Sequence, residues 1–128
     1  MSDDQFNKGM AVRKAVLGED YVARAEAHKT DFDADFQRYV TENAWGAVWS
    51  RRGIERKTRH MLTLAMLAAL GRHEELAVHI RATRNTGVTS DEVKEILLQV
   101  AVYAGAPAAN SAFAIAKHVY KEMENEGK

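Results

Sequence analysis

Residues 72–110 read RHEELAVHIRATRNTGVTSDEVKEILLQVAVYAGAPAAN, and the punctuation of this stretch decides the fold. Side chains three and four apart share a face of an α-helix. The spacing predicts a helix from about His73 to Asn85, with Leu76, Ile80 and Thr83 turned to a core and Gly87 as its stop. Thr89-Ser-Asp-Glu92 is a capping box: hydroxyl and carboxylate satisfy exposed amides reciprocally and open a second helix. That helix repeats Val93, Ile96, Leu97, Val100, Ala101 and Ala104 on one face until Gly105-Ala-Pro107 ends it. Pro107 suits the first turn of a last helix carrying Ala109, Ala112, Phe113, Ala116, Tyr120 and Met123. Along the first of the three helices, Arg72, Glu75 and His79 line one edge beside the apolar face. A cation, a carboxylate and an imidazole meeting there form a place for proton-transfer chemistry on an anionic substrate.

Helical periodicity continues upstream, and alternating apolar-polar runs are few. Glu55 to Leu70 places Thr58, Met61, Leu62, Ala65, Met66 and Ala69 on one stripe; Leu64 and Leu67 fall off it, so the helix is apolar almost all round. Such a helix belongs at the centre of a bundle or in a subunit interface. Before it, residues 45–53 read as an irregular aromatic and basic connection, WGAVWSRRG. Asp31 or Asp33 opens a helix with Phe32, Phe36, Val40 and Ala44 on one face; Asp3 to Leu17 and Asp20 to Ala27 form two more. The expected architecture is all-α, one compact domain over residues 1–128 with about six helices. The small residues of 108–116 let helix backbones approach closely, and with the all-apolar helix they point to a homo-oligomer.

Composition narrows the function. Lys+Arg and Asp+Glu number 18 each, so the formal charge is zero, and no basic tract carries interleaved aromatics; nucleic acid is not an expected partner. Without cysteine there is no disulfide, thiolate metal site or thiol redox chemistry, which fits a reducing compartment. The acidic N-terminus does not resemble a secretory signal, and the apolar run Met61 to Leu70 is too short to span a bilayer. A cytoplasmic protein without membrane partners is expected. No phosphate loop or nucleophile elbow is present. His60 or His73 beside Glu75 and His79 supplies no compact set of zinc ligands, so no metal is expected.

Each candidate residue also has a plainer role. A carboxylate one turn before an imidazole can hydrogen-bond it, fix its tautomer and raise its pKa, giving a tunable proton donor; the same spacing serves an ordinary helix-surface ion pair. One of Trp45 and Trp49 plugs a core, while the other either joins it or walls a pocket with Arg51 or Arg52 as anion partners. Arg81 and Arg84 point away from the His79 edge. Tyr103 and Asn110 are a semi-buried core residue and a local hydrogen-bonding residue, or they stand at the mouth of a pocket between the last two helices.

Gly71-Arg72-x-Glu-Glu75-Leu-x-x-His79-x-Arg81-Ala, Asn85-x-Gly87-Val-Thr89, Glu92-x-x-Glu95-x-Leu97-Leu-Gln99 and Tyr103-x-Gly105-x-Pro107-Ala-Ala-Asn110 together resemble the carboxymuconolactone decarboxylase family. The likeness runs back through Arg59, Gly53, Trp49, Ala44-Trp45-Gly46 and Phe36 to Gly9-Met10-x-Val12-Arg13-x-Ala15-Val16-Leu17-Gly18. The opening helix and the two tryptophans favour its γ-carboxymuconolactone branch. Alkylhydroperoxidase D-type proteins of the same superfamily carry Cys-x-x-Cys-x-x-x-His where this chain has Arg72-x-x-Glu75-x-x-x-His79, so dithiol peroxide reduction is chemically closed to it. The resemblance implies an alkylhydroperoxidase D-like helical subunit in a ring-like trimer or hexamer. It implies decarboxylation of γ-carboxymuconolactone, a dicarboxylate lactone, to 3-oxoadipate enol-lactone in protocatechuate catabolism by the β-ketoadipate pathway, with no cofactor. His79 would act as general acid or carbonyl polariser and Glu75 would tune it. Arg72 would bind the retained carboxylate, and Trp45, Trp49 and Tyr103 would supply walls. The alternatives are a decarboxylase or isomerase acting on another lactone, and a non-catalytic helical oligomer with a binding role.

Overall fold

Gly18, Gly71, Gly87 and Gly105 all take positive φ, and each sits where one helix gives way to the next. The computed structural model describes residues 2–127, and among these every regular element is helical. The α-helices are α1 Ser2–Leu17, α2 Glu19–His28, α3 Ala34–Val40, α4 Arg56–Leu70, α5 His73–Thr86, α6 Ser90–Tyr103 and α7 Ala106–Glu126. Among the described residues there are thus seven, against about six expected, and each of the seven lies where the spacing predicts a helical run. The chain forms two compact units, one ending at Arg56 and one beginning at Lys57.

In the first unit α3 runs without a break into a π-helical segment, Thr41–Trp49. Residues 45–49, expected to be irregular, are therefore still helical. A 3.6-residue template does not register the wider π turn, which closes i to i+5. This turn directs Thr41, Trp45 and Gly46 inward, where α1 packs on the segment. The approach is close enough that a Cβ on Gly9 would overlap the Thr41 carbonyl oxygen, and one on Gly46 would meet the Gln5 backbone. Val12, Val16 and Trp45 form the core of this unit, with Trp49 tilted against Trp45 at 4.9 Å between ring centroids. The expected Phe32 and Phe36 stripe is not part of it: Phe32 is 99% exposed and Phe36 62%.

In the second unit α7 packs against both α5 and α6. Leu64, Leu76, Ile80, Val93, Leu97, Val100, Ala112 and Ala116 lie in one core cluster. The fully buried Leu64, Leu76, Ile80 and Leu97 each contribute about 1.5–3 kcal/mol of apolar transfer. The capping box is present, with Glu92 N–H donating to Thr89 Oγ1 at 3.1 Å and Thr89 N–H to Glu92 Oε1 at 2.9 Å. On α4 the buried stripe is His60, Leu64 and Ala68, while Leu62 and Met66 are exposed. The expected stripe is thus rotated, because leucines, methionines and alanines occupy more than one side of the helix and the packing of its neighbours decides which side is inner. Arg81 turns toward α7, where its guanidinium binds Glu126 at 2.7 and 2.8 Å and Glu122 at 2.9 Å.

Because the α1 crossing has no room for a methyl, Gly9→Ala should destabilise the protein by about 1–3 kcal/mol. Gly53→Ala, with open space around its Cβ, should stay within about 0.5 kcal/mol. Urea midpoints of the two variants check this, and equal midpoints would contradict the packing described.

Candidate active site

The face of α5 that meets α4 is built from an ordinary helical repeat. Leu76, Ile80 and Thr83 are buried as their spacing predicts. His79 lies beside them, half-buried, on the edge turned toward α4. Opposite it is His60, which is 0% exposed. His60 Nε2 and His79 Nδ1 are 3.1 Å apart, a hydrogen bond between two imidazoles, and the rings meet edge to face at 5.2 Å between centroids. His60 Nδ1 in turn lies 2.6 Å from Thr86 Oγ1. Three side chains from the two helices therefore form one chain, Thr86–His60–His79.

The electrostatics follow from burial. Leaving a buried polar atom unpaired costs about 1–3 kcal/mol, and burying an unpaired charge costs far more. Loss of water, reinforced by the neighbouring His79, holds the pKa of His60 down to about 4. His79 is also lowered to about 4: burial dominates, and the Glu75 carboxylate opposes it by pulling the value up. Glu75 thus acts in the expected direction but is outweighed. Among the described residues the Nδ1 hydrogen bond of His79 goes to His60, not to the exposed Glu75. The imidazole expected to be a raised-pKa proton donor is a neutral ring at pH 7.

Arg72 is the exposed N-cap of α5. Its backbone is held by Arg72 N–H to Leu67 O and Leu76 N–H to Arg72 O, both 2.9 Å, and its side chain makes no ion pair among the described residues. Tyr103, at the end of α6, is 82% exposed, not semi-buried. The tryptophans belong to the first unit. Trp45 is core, and Trp49 walls an open cavity of about 630 Å³ lined also by Lys8, Arg51, Arg52 and Arg56. The two alternatives for the tryptophans are thus divided between them, with Arg51 and Arg52 both on the cavity that Trp49 walls.

His60 and Thr86 are the residues that sequence reasoning missed. His60 entered only as a possible metal ligand, although it falls in register with Leu64 and Ala68 at intervals of four. Had that stripe been taken as the inner one, a histidine in a leucine-lined row would have stood out.

A cysteine-free helical bundle with a desolvated imidazole pair on adjacent helices defines a class of small helical proteins equipped for proton or hydrogen-bond chemistry. The chain belongs to the carboxymuconolactone decarboxylase family, whose model matches residues 34–118. It is 48% identical over 124 residues to a 4-carboxymuconolactone decarboxylase of Acinetobacter baylyi, covering 96% of this chain and 92% of that one. It is 39% identical over 122 residues to a nitrosuccinic acid decarboxylase of Metarhizium robertsii, covering 95% and 85% respectively. A 4-carboxymuconolactone decarboxylase of Pseudomonas putida matches 42 residues at 40% identity, covering 33% of this chain and 88% of that one.

Acid should loosen this site. The unfolded chain takes up protons near pH 6.5 and the folded histidines only near 4, so between these values the unfolded state holds more protons. Stability is then full above about pH 6.5 and is lost as pH falls toward 4, by up to about 1.4 kcal/mol per pH unit for each proton. Urea unfolding from pH 7.5 to 4.5 should show this decline, and a His60→Leu, His79→Leu double variant should flatten it. An equal slope in the variant would place the titration elsewhere.

Proposed function

We propose that this protein is a carboxy-lyase that converts γ-carboxymuconolactone to 3-oxoadipate enol-lactone without a cofactor. The 48% identity to a 4-carboxymuconolactone decarboxylase over nearly the full length of both chains carries this reading. The desolvated His79 supports the chemistry. The reaction breaks the bond from the ring to one carboxylate. Its electron pair moves through the ring double bond onto the lactone carbonyl oxygen, carbon dioxide leaves, and a proton is added at the carbon beside the carbonyl. The double bond then ends at the carbon that lost the carboxylate, which makes the product an enol-lactone. The substrate is its own electron sink, and the protein must stabilise negative charge on one oxygen.

A neutral imidazole suits that task. It gives a hydrogen bond to the developing oxyanion without placing a full cation in an apolar setting, and such donors act most strongly where water is excluded. His79 is assigned this role, as carbonyl polariser. Glu75 tunes it through its charge. Arg72 is assigned to the retained carboxylate, since it sits at the positive end of α5 with a planar bidentate donor. Trp49 in the first unit and Tyr103 in the second are each kept as proposed wall residues, and the cations beside Trp49 support an anionic ligand there; Trp45, buried in the core, is not assigned to the substrate. Nitrosuccinic acid, named for the second relative, is likewise a diacid whose nitro group accepts electrons. The same oxyanion-donating site would serve both reactions, so a related acid is the second candidate substrate.

A trimer or hexamer is proposed with this reading. Leu62, Met66, Leu70, Leu98 and Val102 are exposed apolar side chains on α4 and α6, an unusual density for a lone small chain. Light scattering that returned the 14.3 kDa mass of one chain would end the oligomer proposal. A cytoplasmic setting and a place in protocatechuate breakdown by the β-ketoadipate pathway complete it; among the described residues no helix is long and apolar enough to cross a membrane.

The direct test is carbon dioxide release from γ-carboxymuconolactone. His79→Ala should lower turnover about a hundred to ten-thousand-fold while the helical circular dichroism and the oligomeric mass stay unchanged. Turnover near that of the unaltered protein would remove His79 from the chemistry, and no release by the unaltered protein would remove the substrate.

A further inference from the structure

The Thr86–His60–His79 chain has two possible proton arrangements. In one, the Thr86 hydroxyl donates to His60 Nδ1, His60 Nε2–H donates to His79 Nδ1, and His79 carries its proton on Nε2. In the other, every donor and acceptor is reversed: His79 Nδ1–H donates to His60, His60 Nδ1–H donates to Thr86, and His79 Nε2 is a bare lone pair. Both satisfy the observed distances of 2.6 and 3.1 Å. They differ in what His79 offers to a ligand, since one makes it a hydrogen-bond donor and the other a base.

One consideration chooses between them. In the first arrangement both rings hold their proton on Nε2, the intrinsically favoured tautomer of a neutral imidazole; in the second both are forced to Nδ1. A second point concerns what holds the chain in place. His60 is fully buried beside Leu64 on a continuous helix, so its ring cannot be reoriented by solvent. Which nitrogen of a histidine is protonated is set by the hydrogen bond made by the other.

We propose that His60, oriented by Thr86, is a positioning residue that fixes His79 in the Nε2–H tautomer and so makes it a dedicated hydrogen-bond donor. This deepens the decarboxylase reading and rests on it for the catalytic consequence, although the tautomer itself does not depend on any substrate. It also accounts for a costly arrangement: a fully buried histidine at the head of the inner stripe of α4, where a leucine would pack without desolvating two nitrogens.

The test uses the full-length protein with ¹⁵N-labelled histidine at neutral pH, where ring spectra report which nitrogen of His79 bears hydrogen. The unaltered protein should show the Nε2–H form. Thr86→Val, which removes only the hydroxyl, and His60→Leu, which removes the ring, should each give a mixture of tautomers. Both should lower kcat about ten to a hundred-fold with KM little changed, the effect seen when a group that orients a functional histidine is lost. His60→Gln places an amide N–H where Nε2–H was, and should recover most of the lost kcat. If His60→Leu fails to fold, Thr86→Val carries the test alone. A proton on Nδ1 of His79 in the unaltered protein overturns the inference, as do Thr86→Val spectra and kcat identical to those of the unaltered protein. Those results with an inactive His79→Ala overturn the inference alone, whereas full turnover in His79→Ala overturns the catalytic reading beneath it.

Discussion

Two imidazoles removed from water on facing edges of α4 and α5 constrain everything else in the second unit. A buried histidine needs a partner for each nitrogen, and here the partners are a threonine hydroxyl and a second histidine. None of the three carries a full charge at neutral pH, because the pair is held near pKa 4 by desolvation. A charged ring at this position would need a carboxylate at contact distance, and Glu75 remains exposed. The site is therefore a neutral polar thread within a core of leucine, isoleucine and alanine. That suits a reaction whose difficulty is a transient negative charge on an oxygen that must not be met by bulk water.

The surrounding fold holds this thread in register. The stops at Gly71 and Gly87 set the length of α5, so that His79 and Thr86, seven residues apart, both face α4. The capping box fixes the start of α6, and Lys57, near the beginning of α4, reaches Glu92 of that box at 3.1 Å. On the other side of α5, Arg81 is tied to two glutamates of α7. Charged contacts thus lie on the outer faces while the inner face keeps the histidine chain. An arginine–carboxylate pair at a surface is worth little on its own, but a forked one bound to two acids restrains a helix's rotation about its axis. Rotation of α5 is what would break the 3.1 Å contact.

Much of the second unit is legible in the sequence because its signals are local. Glycine stops, a capping box and a proline after a break are each read within a few residues. The inner face of α5 follows from the spacing of Leu76, Ile80 and Thr83. The orientation of α4 does not, because apolar residues occupy more than one side of it and the choice of inner stripe depends on its neighbours. That one ambiguity hid His60, and with it the partner of His79. The π-helical stretch through Trp45 and Trp49 was hidden for a different reason: its geometry comes from packing two glycines of the crossing, Gly9 and Gly46, against backbone, which no periodicity announces. The pKa of His79 was out of reach as well. Glu75 is visible from spacing, but the stronger influence is burial, which is a property of the tertiary structure.

The central claim is that His60 and His79 are uncharged throughout the neutral range. Proton NMR of the ring C2 hydrogens, followed from pH 8 to pH 5 in the unaltered protein, measures this directly. The account predicts that the ring resonances of His60 and His79 stay at their neutral positions across that interval. A midpoint near 6.5 for either member of the pair would contradict it.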